Sequence, residues 1–128
     1  MARWERQIGA MTLHVSDVAR AKEFYQRAFG LEGQQLEPDT VMVKFSDLYV
    51  FLHQDPDHQP PGGVVAEQGK GGVGQFAIIV QDVDAVRAEL DANGVTVLSG
   101  PEDREWGMRT VTFADPDGYV WEIAQPLS

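Results

Sequence analysis

The chain has 128 residues, a length that fits one domain with a buried apolar core. Its net charge of −10 argues against nucleic acid and anionic membranes as partners, because both favour clusters of lysine and arginine. The absence of cysteine excludes disulfides, zinc–thiolate sites and thiol nucleophiles. No apolar run approaches a membrane span and no secretory signal is expected, so a cytoplasmic protein is the default expectation.

A repeat with an offset of 65 residues divides the chain into two similar halves. Residues 13–18 (Leu-His-Val-Ser-Asp-Val) and residues 78–83 (Ile-Ile-Val-Gln-Asp-Val) both close an apolar strand pattern with Val-x-Asp-Val. Apolar residues at helical spacing follow each motif, which predicts a helix in each half. The residues predicted to cap the starts of these helices are Asp17 and Asp84, with Asp82 also assigned to the start of the second helix, and those predicted to end them are Gly30 and Gly94.

Three short strands are predicted after each helix. They span 33–36, 41–45 and 48–53 in the first half, and 95–98, 109–113 and 119–124 in the second. Residues 115–118 (Asp-Pro-Asp-Gly) are typical of a hairpin turn, so we assign this motif a structural role. The pattern predicts one α+β domain over 1–128, with βαβββ modules of about 8–54 and 73–125, joined by a linker loop over 55–72. Curved mixed sheets of this kind can close around a cavity, where function is expected.

Two segments resemble the vicinal oxygen chelate family, which includes glyoxalases, bleomycin resistance proteins and extradiol dioxygenases. Residues 13–25 (Leu-His-Val-Ser-Asp-Val-Ala-Arg-Ala-Lys-Glu-Phe-Tyr) resemble the opening of its modules, and residues 113–123 (Phe-Ala-Asp-Pro-Asp-Gly-Tyr-Val-Trp-Glu-Ile) resemble the closing strand pair. The resemblance covers nearly the whole chain. Enzymes of this family hold a divalent metal with ligands from four strands, and the metal acts as a Lewis acid on vicinal oxygens of the substrate.

The resemblance carries the four metal-ligand positions onto Ala10, Phe51, Gln75 and Glu122. Alanine and phenylalanine cannot ligate, glutamine is a weak ligand, and only Glu122 supplies charge. Because a divalent ion favours several anionic or imidazole ligands, we predict no metal or other cofactor. If an ion binds, the expected ligands are Glu122 and Gln75. The histidines at 14, 53 and 58 form no His-x-His or His-x-x-x-His pair.

Two residues are candidates for acid–base catalysis. Strand alternation places His14 on the same face as Ala10, and Glu122 lies inside an apolar strand. A carboxylate that faces a cavity is costly unless it is paired, solvated or used. The structural alternatives are a strand-end His14 bonded to backbone or water, and a Glu122 that is hydrogen-bonded to Gln75.

A further set of aromatic and polar residues is predicted to bind a ligand in the cavity. Tryptophan offers a stacking surface, and arginine a fork for carboxylate or phosphate. The set consists of Tyr49, Phe51, His53, Gln75, Trp106, Met108, Arg109 and Trp121. Structural alternatives are an edge role for Trp106, an ion pair of Arg109 with an acidic residue at 102, 103 or 105, and a surface role for His53. His58 is expected to be a solvated loop residue.

The sequence leaves two main functions open. The first is a metal-independent protein that binds an antibiotic-like, aromatic or amphipathic small molecule, similar to the bleomycin-resistance branch. The acidic charge suits a cationic ligand, and the resemblance implies a homodimer whose cavity is formed by two chains. The second is a lyase, isomerase or dioxygenase that uses Glu122 with His14 or Gln75, with or without a metal. A structural or partner-binding role is a third interpretation.

Overall fold

The computed structural model describes Arg3 and residues 5–55, 57 and 75–127. The first half contains β1 (Ala10–Val15), α1 (Val18–Phe29), β2 (Gly33–Glu37), β3 (Thr40–Lys44) and β4 (Tyr49–Gln54). The second contains β5 (Gln75–Ile79), α2 (Val83–Ala92), β6 (Val97–Asp103), β7 (Met108–Ala114) and β8 (Val120–Pro126). The βαβββ prediction is confirmed for both halves. His58 and the predicted linker 55–72, apart from residues 55 and 57, lie outside the described residues.

Each half folds into a four-stranded mixed sheet with the same topology. The strand orders are β1-β4-β3-β2 and β5-β8-β7-β6. The first strand of each half pairs in parallel with the last, and the other pairs are antiparallel. A parallel pair needs a long crossover connection, which includes the helix in each half. Within the described residues, no helix is long and apolar enough to span a bilayer.

The helices begin at equivalent positions of the repeat. Asp17 caps α1 by accepting a hydrogen bond from the Arg20 N–H at 3.1 Å. Asp82 caps α2 in the same way, accepting from the Ala85 N–H at 3.0 Å. The prediction of Asp84 was therefore wrong, because the cap needs extended backbone, and Asp82 has it while Asp84 lies in the first turn. Gly30 ends α1 in the left-handed conformation at φ 67°, as predicted.

A glutamine at the end of each last strand also holds the start of the helix in its own half. The Oε1 of Gln54 accepts a hydrogen bond from the Val18 N–H at 2.9 Å. The Oε1 of Gln125 accepts from the Val83 N–H at the same distance. Sequence analysis missed both contacts, although the two glutamines are separated by the same interval as Phe51 and Glu122.

The two halves share one hydrophobic core on the helix-bearing sides of their sheets. Buried side chains of both sheets and both helices form a single cluster: Leu13, Val15, Val18, Ala21, Phe24, Tyr25, Ala28, Val41, Val43, Val50, Leu52, Val83, Leu90, Val95, Val111, Phe113, Tyr119, Trp121 and Ile123. Burial of this apolar surface is the main driving force that holds the halves together.

The opposite side of each sheet carries no helix. Face 1 is the helix-free side of the first sheet, formed by Ala10, Thr12, His14, Thr40, Met42, Lys44, Tyr49, Phe51 and His53. Face 2 is the helix-free side of the second sheet, formed by Gln75, Ala77, Ile79, Met108, Thr110, Thr112, Ala114, Val120, Glu122 and Ala124. Tyr49 on face 1 is 40% exposed and Ile79 on face 2 is 62% exposed. Within the described residues, neither face covers the other.

The turn at 115–118 joins the second half to the start of α1. The Asp115 carboxylate accepts a hydrogen bond from the Tyr25 hydroxyl at 2.6 Å, and Tyr25 accepts one from Trp121 Nε1 at 3.2 Å. Asp117 Oδ1 accepts from the N–H and the hydroxyl of Ser16, both at 2.9 Å. These contacts fit the structural role predicted for the motif, and they extend it to the joint between the halves.

Both acidic residues of this turn are buried. Burial raises the pKa of the Asp115 carboxyl to about 6, although hydrogen bonds from Tyr25, Tyr119 and Asp117 act in the opposite direction. Burial, together with the nearby charge of Asp115, raises the pKa of Tyr25 well above its usual value, so its hydroxyl stays protonated as a donor. Asp117 Oδ2 is buried without a hydrogen-bond partner in the described structure. Keeping the buried Asp115 carboxylate charged therefore costs free energy at neutral pH.

Asp115 should make stability depend on pH. Its pKa is about 6 in the folded chain and about 3.9 in an unfolded one, so the folded chain binds more protons between these values. The stabilisation by its proton is complete below the lower pKa and is lost as pH rises through the higher one. We expect the free energy of unfolding of wild type, relative to Asp115→Asn, to fall by roughly 2–3 kcal/mol between pH 4 and pH 7.

Urea unfolding at several pH values measures this difference. Asp103→Asn is the matched control, because a hydrogen bond from Arg109 lowers the pKa of Asp103 and gives the opposite sign. Parallel pH profiles for wild type and Asp115→Asn would contradict the prediction.

Candidate functional site

Face 1 places three predicted residues on one strand and a fourth beside them. Tyr49, Phe51 and His53 alternate along β4, and the β1–β4 register pairs Phe51 with Thr12 and His53 with His14. Met42 of β3 flanks Phe51 on its other side. The Lys44 ammonium lies 5.5 Å from the centre of the exposed Tyr49 ring. Face 1 thus has an aromatic and apolar centre, with imidazoles at one end and a cation at the other.

The imidazoles of His14 and His53 lie side by side on face 1. Their ring centres are 6.0 Å apart and the ring planes are nearly perpendicular, at 85°. His53 Nδ1 is 3.0 Å from the Thr40 hydroxyl oxygen, and that hydroxyl donates to Asp39 Oδ1 at 3.0 Å. Within the described residues, the His14 imidazole forms no hydrogen bond, and this residue is exposed. His53, in contrast, is held in one orientation by its contact with Thr40.

Glu122 is the acidic side chain of face 2. The register places it between Ala77 of β5 and Thr112 of β7, and it is half-buried. Gln75 lies one row away, opposite Val120, so the hydrogen bond to Gln75 considered from the sequence is not formed. Within the described residues, nothing forms a hydrogen bond or ion pair with the Glu122 carboxylate. This charge is available to a ligand or to a second chain.

Trp121 was predicted to line the ligand cavity, but it lies on the opposite side of the second sheet from face 2 and Glu122. It is adjacent to Glu122 in β8, so its side chain points to the opposite side and is only 3% exposed. The indole stacks on Phe45 at a centroid distance of 5.2 Å and packs against Phe29 at 4.9 Å. It also forms part of the wall of a cleft of about 740 Å³ between the halves. Trp121 is therefore mainly a core residue, with only a small part of its surface exposed in the cleft.

Arg109 points to the helix side of the second sheet, away from face 2. Its Nε is 2.6 Å from Asp103 and its Nη1 is 2.9 Å from Asp84 of α2. The structural alternative of an ion pair with Asp103 is confirmed. The guanidinium fork that was predicted to bind a ligand carboxylate or phosphate is occupied by two carboxylates of the chain.

The remaining predicted residues lie near the edge of face 2. Met108 starts β7 and is half-buried on face 2. Trp106 lies in the turn before it, is 63% exposed, and has the Arg104 guanidinium 5.8 Å from its ring centre. Trp106 therefore does not cap the core, and its ring is accessible for stacking.

The described residues do not fit the divalent metal of the family enzymes. Ala10 and Phe51 lie on face 1, and Gln75 and Glu122 lie on face 2. Even if the two faces came together, these four positions would supply only two side-chain ligands for a metal, the carboxylate of Glu122 and the amide of Gln75. No group of three or more histidine, aspartate or glutamate side chains within the described ranges could hold a metal ion. We therefore derive no step through a metal at these positions.

Comparison with known proteins defines the family. The chain matches the model of the Glyoxalase/Bleomycin resistance protein/Dioxygenase superfamily over residues 7–123. The chain belongs to this superfamily. An uncharacterised protein of Mycobacterium tuberculosis is 31% identical over 122 residues, which are 90% of this chain and 72% of that protein.

Two further superfamily relatives differ in what their names describe. The solved structure of TnmS3, an antibiotic binding protein from Streptomyces sp. CB03234, superposes with a TM-score of 0.72 and 29% identity, covering 98% of this chain and 99% of that one. Lactoylglutathione lyase GLX1 of Arabidopsis thaliana is 27% identical over 98% of this chain and 47% of its own length. The proteins that this chain resembles thus include one named as a binding protein and one named as an enzyme.

The position of Trp121 in the core gives a stability prediction. Trp121→Ala should lower the free energy of unfolding by about 3–5 kcal/mol, because it leaves a cavity among packed rings. Trp106→Ala is the matched control and should cost less than about 1 kcal/mol, because that ring is mostly in solvent. Urea unfolding followed by far-UV circular dichroism measures both. Equal losses would show that Trp121 is not a core residue.

Proposed function

We propose that this protein binds an aromatic or amphipathic, antibiotic-like small molecule between its helix-free faces, without the family metal. One observation carries the proposal: Phe51, at a position where the family enzymes have a metal ligand, sits at the centre of face 1 between Thr12 and Met42. A phenyl ring there provides apolar contact and no coordination. Phe51 therefore offers an apolar binding surface at a position where the family enzymes have a metal ligand.

Face 1 has the chemistry of a receptor for a flat apolar group. Phe51 and Tyr49 offer rings, and the Met42 thioether adapts to an irregular shape. All three side chains keep solvent-accessible surface, so a ligand can remove apolar area from water. Trp106 and Met108 at the edge of face 2 add similar surface from the second sheet.

Face 2 contributes charge selectivity. The Glu122 carboxylate is half-buried and has no partner in the described chain, so a cationic group of a ligand would gain a charge-assisted hydrogen bond there. The net charge of −10 favours cationic ligands at longer range as well. The proposed ligand therefore combines a planar apolar part with a positive charge.

The proposed site requires a second copy of the chain. Within the described residues, one chain leaves most of face 1 and the β5 residues of face 2 exposed, and an open sheet surface of this kind buries too little of a small molecule for tight binding. A homodimer in which face 1 of one copy meets face 2 of the other would enclose the ligand, in the manner that the resemblance to the bleomycin-resistance branch implies. The 29% identity to the Streptomyces antibiotic binding protein, over nearly all of both chains, supports the same assignment.

A thermal-shift screen with bleomycin and aromatic polyketide antibiotics tests the proposal. A ligand that binds the native state must raise the melting temperature. Phe51→Ala should then weaken the affinity for the hit by roughly 10-fold or more, from the loss of about 1.5–3 kcal/mol of apolar contact.

The control separates face 1 from the cleft between the halves. Ile8 is 75% exposed and lines that cleft, so Ile8→Ala should leave the affinity unchanged. Weaker binding in Ile8→Ala with normal binding in Phe51→Ala would move the site to the cleft. Affinity that disappears with EDTA and returns with an added divalent ion would contradict the metal-free part of the proposal.

A second candidate function is an enzyme of the lyase, isomerase or dioxygenase type. The observation that favours it is Glu122, a half-buried carboxylate without a partner in the described chain, which can take or give a proton. His14 could assist only from face 1 of a second copy, and Gln75, one row from Glu122, could orient a substrate but not transfer a proton. Relatives with enzymatic names, such as the Arabidopsis lactoylglutathione lyase, are consistent with this candidate.

Glu122→Gln separates the two functions, because it keeps the shape of the side chain and removes its ability to transfer a proton. For an enzyme, we expect binding within a few-fold of wild type, and turnover of the same compound lowered by roughly 100-fold or more. For a binding protein, wild type itself should return the compound chemically unchanged, as checked by mass spectrometry.

A further inference from the structure

The histidine pair of face 1 has a geometry that the sequence did not reveal. His14 and His53 are direct register partners on the parallel strands β1 and β4, so their side chains leave the sheet at neighbouring points of the same face. Their ring centres are 6.0 Å apart. Thirty-nine positions separate them in the chain, so neither spacing nor periodicity could pair them.

The hydrogen bonds on face 1 determine which nitrogen of His53 is free. The Thr40 hydroxyl donates its one proton to Asp39 Oδ1, so its oxygen can only accept from His53 Nδ1. In the tautomer that satisfies both contacts of the Thr40 hydroxyl, His53 Nδ1 carries the proton and Nε2 keeps its lone pair. A histidine whose N–H is held by an oxygen, with the other nitrogen bare, has the arrangement that metal-ligating histidines commonly have.

We propose that His14 and His53 form a binding site for a divalent transition-metal ion, with copper(II) bound most tightly. An ion about 2.0–2.1 Å from each nitrogen would lie about 3.2 Å from each ring centre, so two rings can share it at centre separations up to about 6.4 Å. The observed 6.0 Å lies within that limit. Because the His14 side is exposed, water can complete the coordination.

The donor set selects the class of ion. Two neutral imidazoles suit copper, nickel and zinc, whereas magnesium, calcium and manganese prefer oxygen ligands. Asp39 acts on the ion through Thr40 and His53, and the Lys44 cation lies two rows away at the other end of face 1. The order of affinity should therefore be copper above nickel and zinc.

This site is distinct from the metal position of the family enzymes. That position corresponds to Ala10 and Phe51 on face 1, whereas the histidine pair lies one row beyond Phe51 along both strands. The proposal does not rest on small-molecule binding. An ion at the histidine pair and a ligand on Phe51 can be present or absent independently.

Titration of chelator-treated full-length protein with copper(II) tests the site. Isothermal calorimetry should show stoichiometric binding, and electron paramagnetic resonance should show hyperfine coupling to two imidazole nitrogens. His14→Ala and His53→Ala should each lose stoichiometric binding and the two-nitrogen spectrum. His58→Ala, which removes the remaining histidine of the chain, is the matched control and should retain both.

Thr40→Val tests the orienting hydrogen bond separately. Valine keeps the branched shape of threonine and removes the acceptor for His53 Nδ1–H, so copper affinity should fall by roughly 10–100-fold while the two-nitrogen spectrum persists. Circular dichroism checks that all variants are folded. The proposal is overturned if wild type shows no stoichiometric copper binding, if both histidine variants bind like wild type, or if His58→Ala loses binding equally.

Discussion

The shared apolar core between the helix-bearing sides of the two sheets is the constraint from which the rest of the structure follows. Both helices and the inner faces of both sheets contribute to one cluster of buried side chains. Since each sheet uses its inner side for this core, its other side is left without a covering layer. The helix-free faces 1 and 2 are therefore a consequence of how the halves associate, and face 2 carries the Glu122 carboxylate, which has no partner among the described residues.

The joint between the halves combines this apolar packing with a small polar network. Tyr25 of α1 accepts from Trp121 and donates to Asp115, while Asp117 holds the backbone and hydroxyl of Ser16. These bonds fix the second sheet relative to α1, and hence fix face 2 relative to face 1. The network has a cost, because Asp115 is a buried acid with a raised pKa and one oxygen of Asp117 has no partner in the described structure.

The fold could be predicted from the sequence because its signals are local and occur twice. The Val-x-Asp-Val motif and the helical spacing behind it specify nearby backbone and occur in both halves, so each half supports the prediction for the other, and the Asp-Pro-Asp-Gly turn specifies the last hairpin. Asp84 was misassigned because a local pattern allows two acidic caps within one turn. Asp82, which was also assigned to the helix start and is equivalent to Asp17 in the repeat, is the cap.

The site was harder to predict because its residues meet through non-local register and side-chain direction. Trp121 was predicted to line a ligand cavity because of its ring; alternation with Glu122 directs it to the core side of the sheet, where it also lines the cleft between the halves. Arg109 was separated from its partner Asp84 by 25 positions, and the partner lies on a helix. The pairing of His14 with His53 depends on the parallel β1–β4 register, which no pattern in a single sequence reveals.

In the proposed binding mode, faces 1 and 2 are complementary halves of one site. Face 1 offers rings, a thioether and two imidazoles, and face 2 offers a carboxylate without a partner in the described chain. Within one described chain these groups stay on separate exposed surfaces. Binding between the two faces, as proposed, therefore requires face 1 of one copy to meet face 2 of another.

Cross-linking between copies tests that claim most directly, because the natural chain has no cysteine. Thr12→Cys adds a thiol to the exposed part of face 1 and Ala77→Cys adds one to face 2; Glu23→Cys, on exposed α1, is the control partner. The account predicts that a mixture of Thr12→Cys and Ala77→Cys chains, treated with a short bis-maleimide, yields a covalent dimer, while Thr12→Cys with Glu23→Cys does not. The absence of that product, or a cross-link within single chains of the Thr12→Cys/Ala77→Cys double variant, would contradict the account.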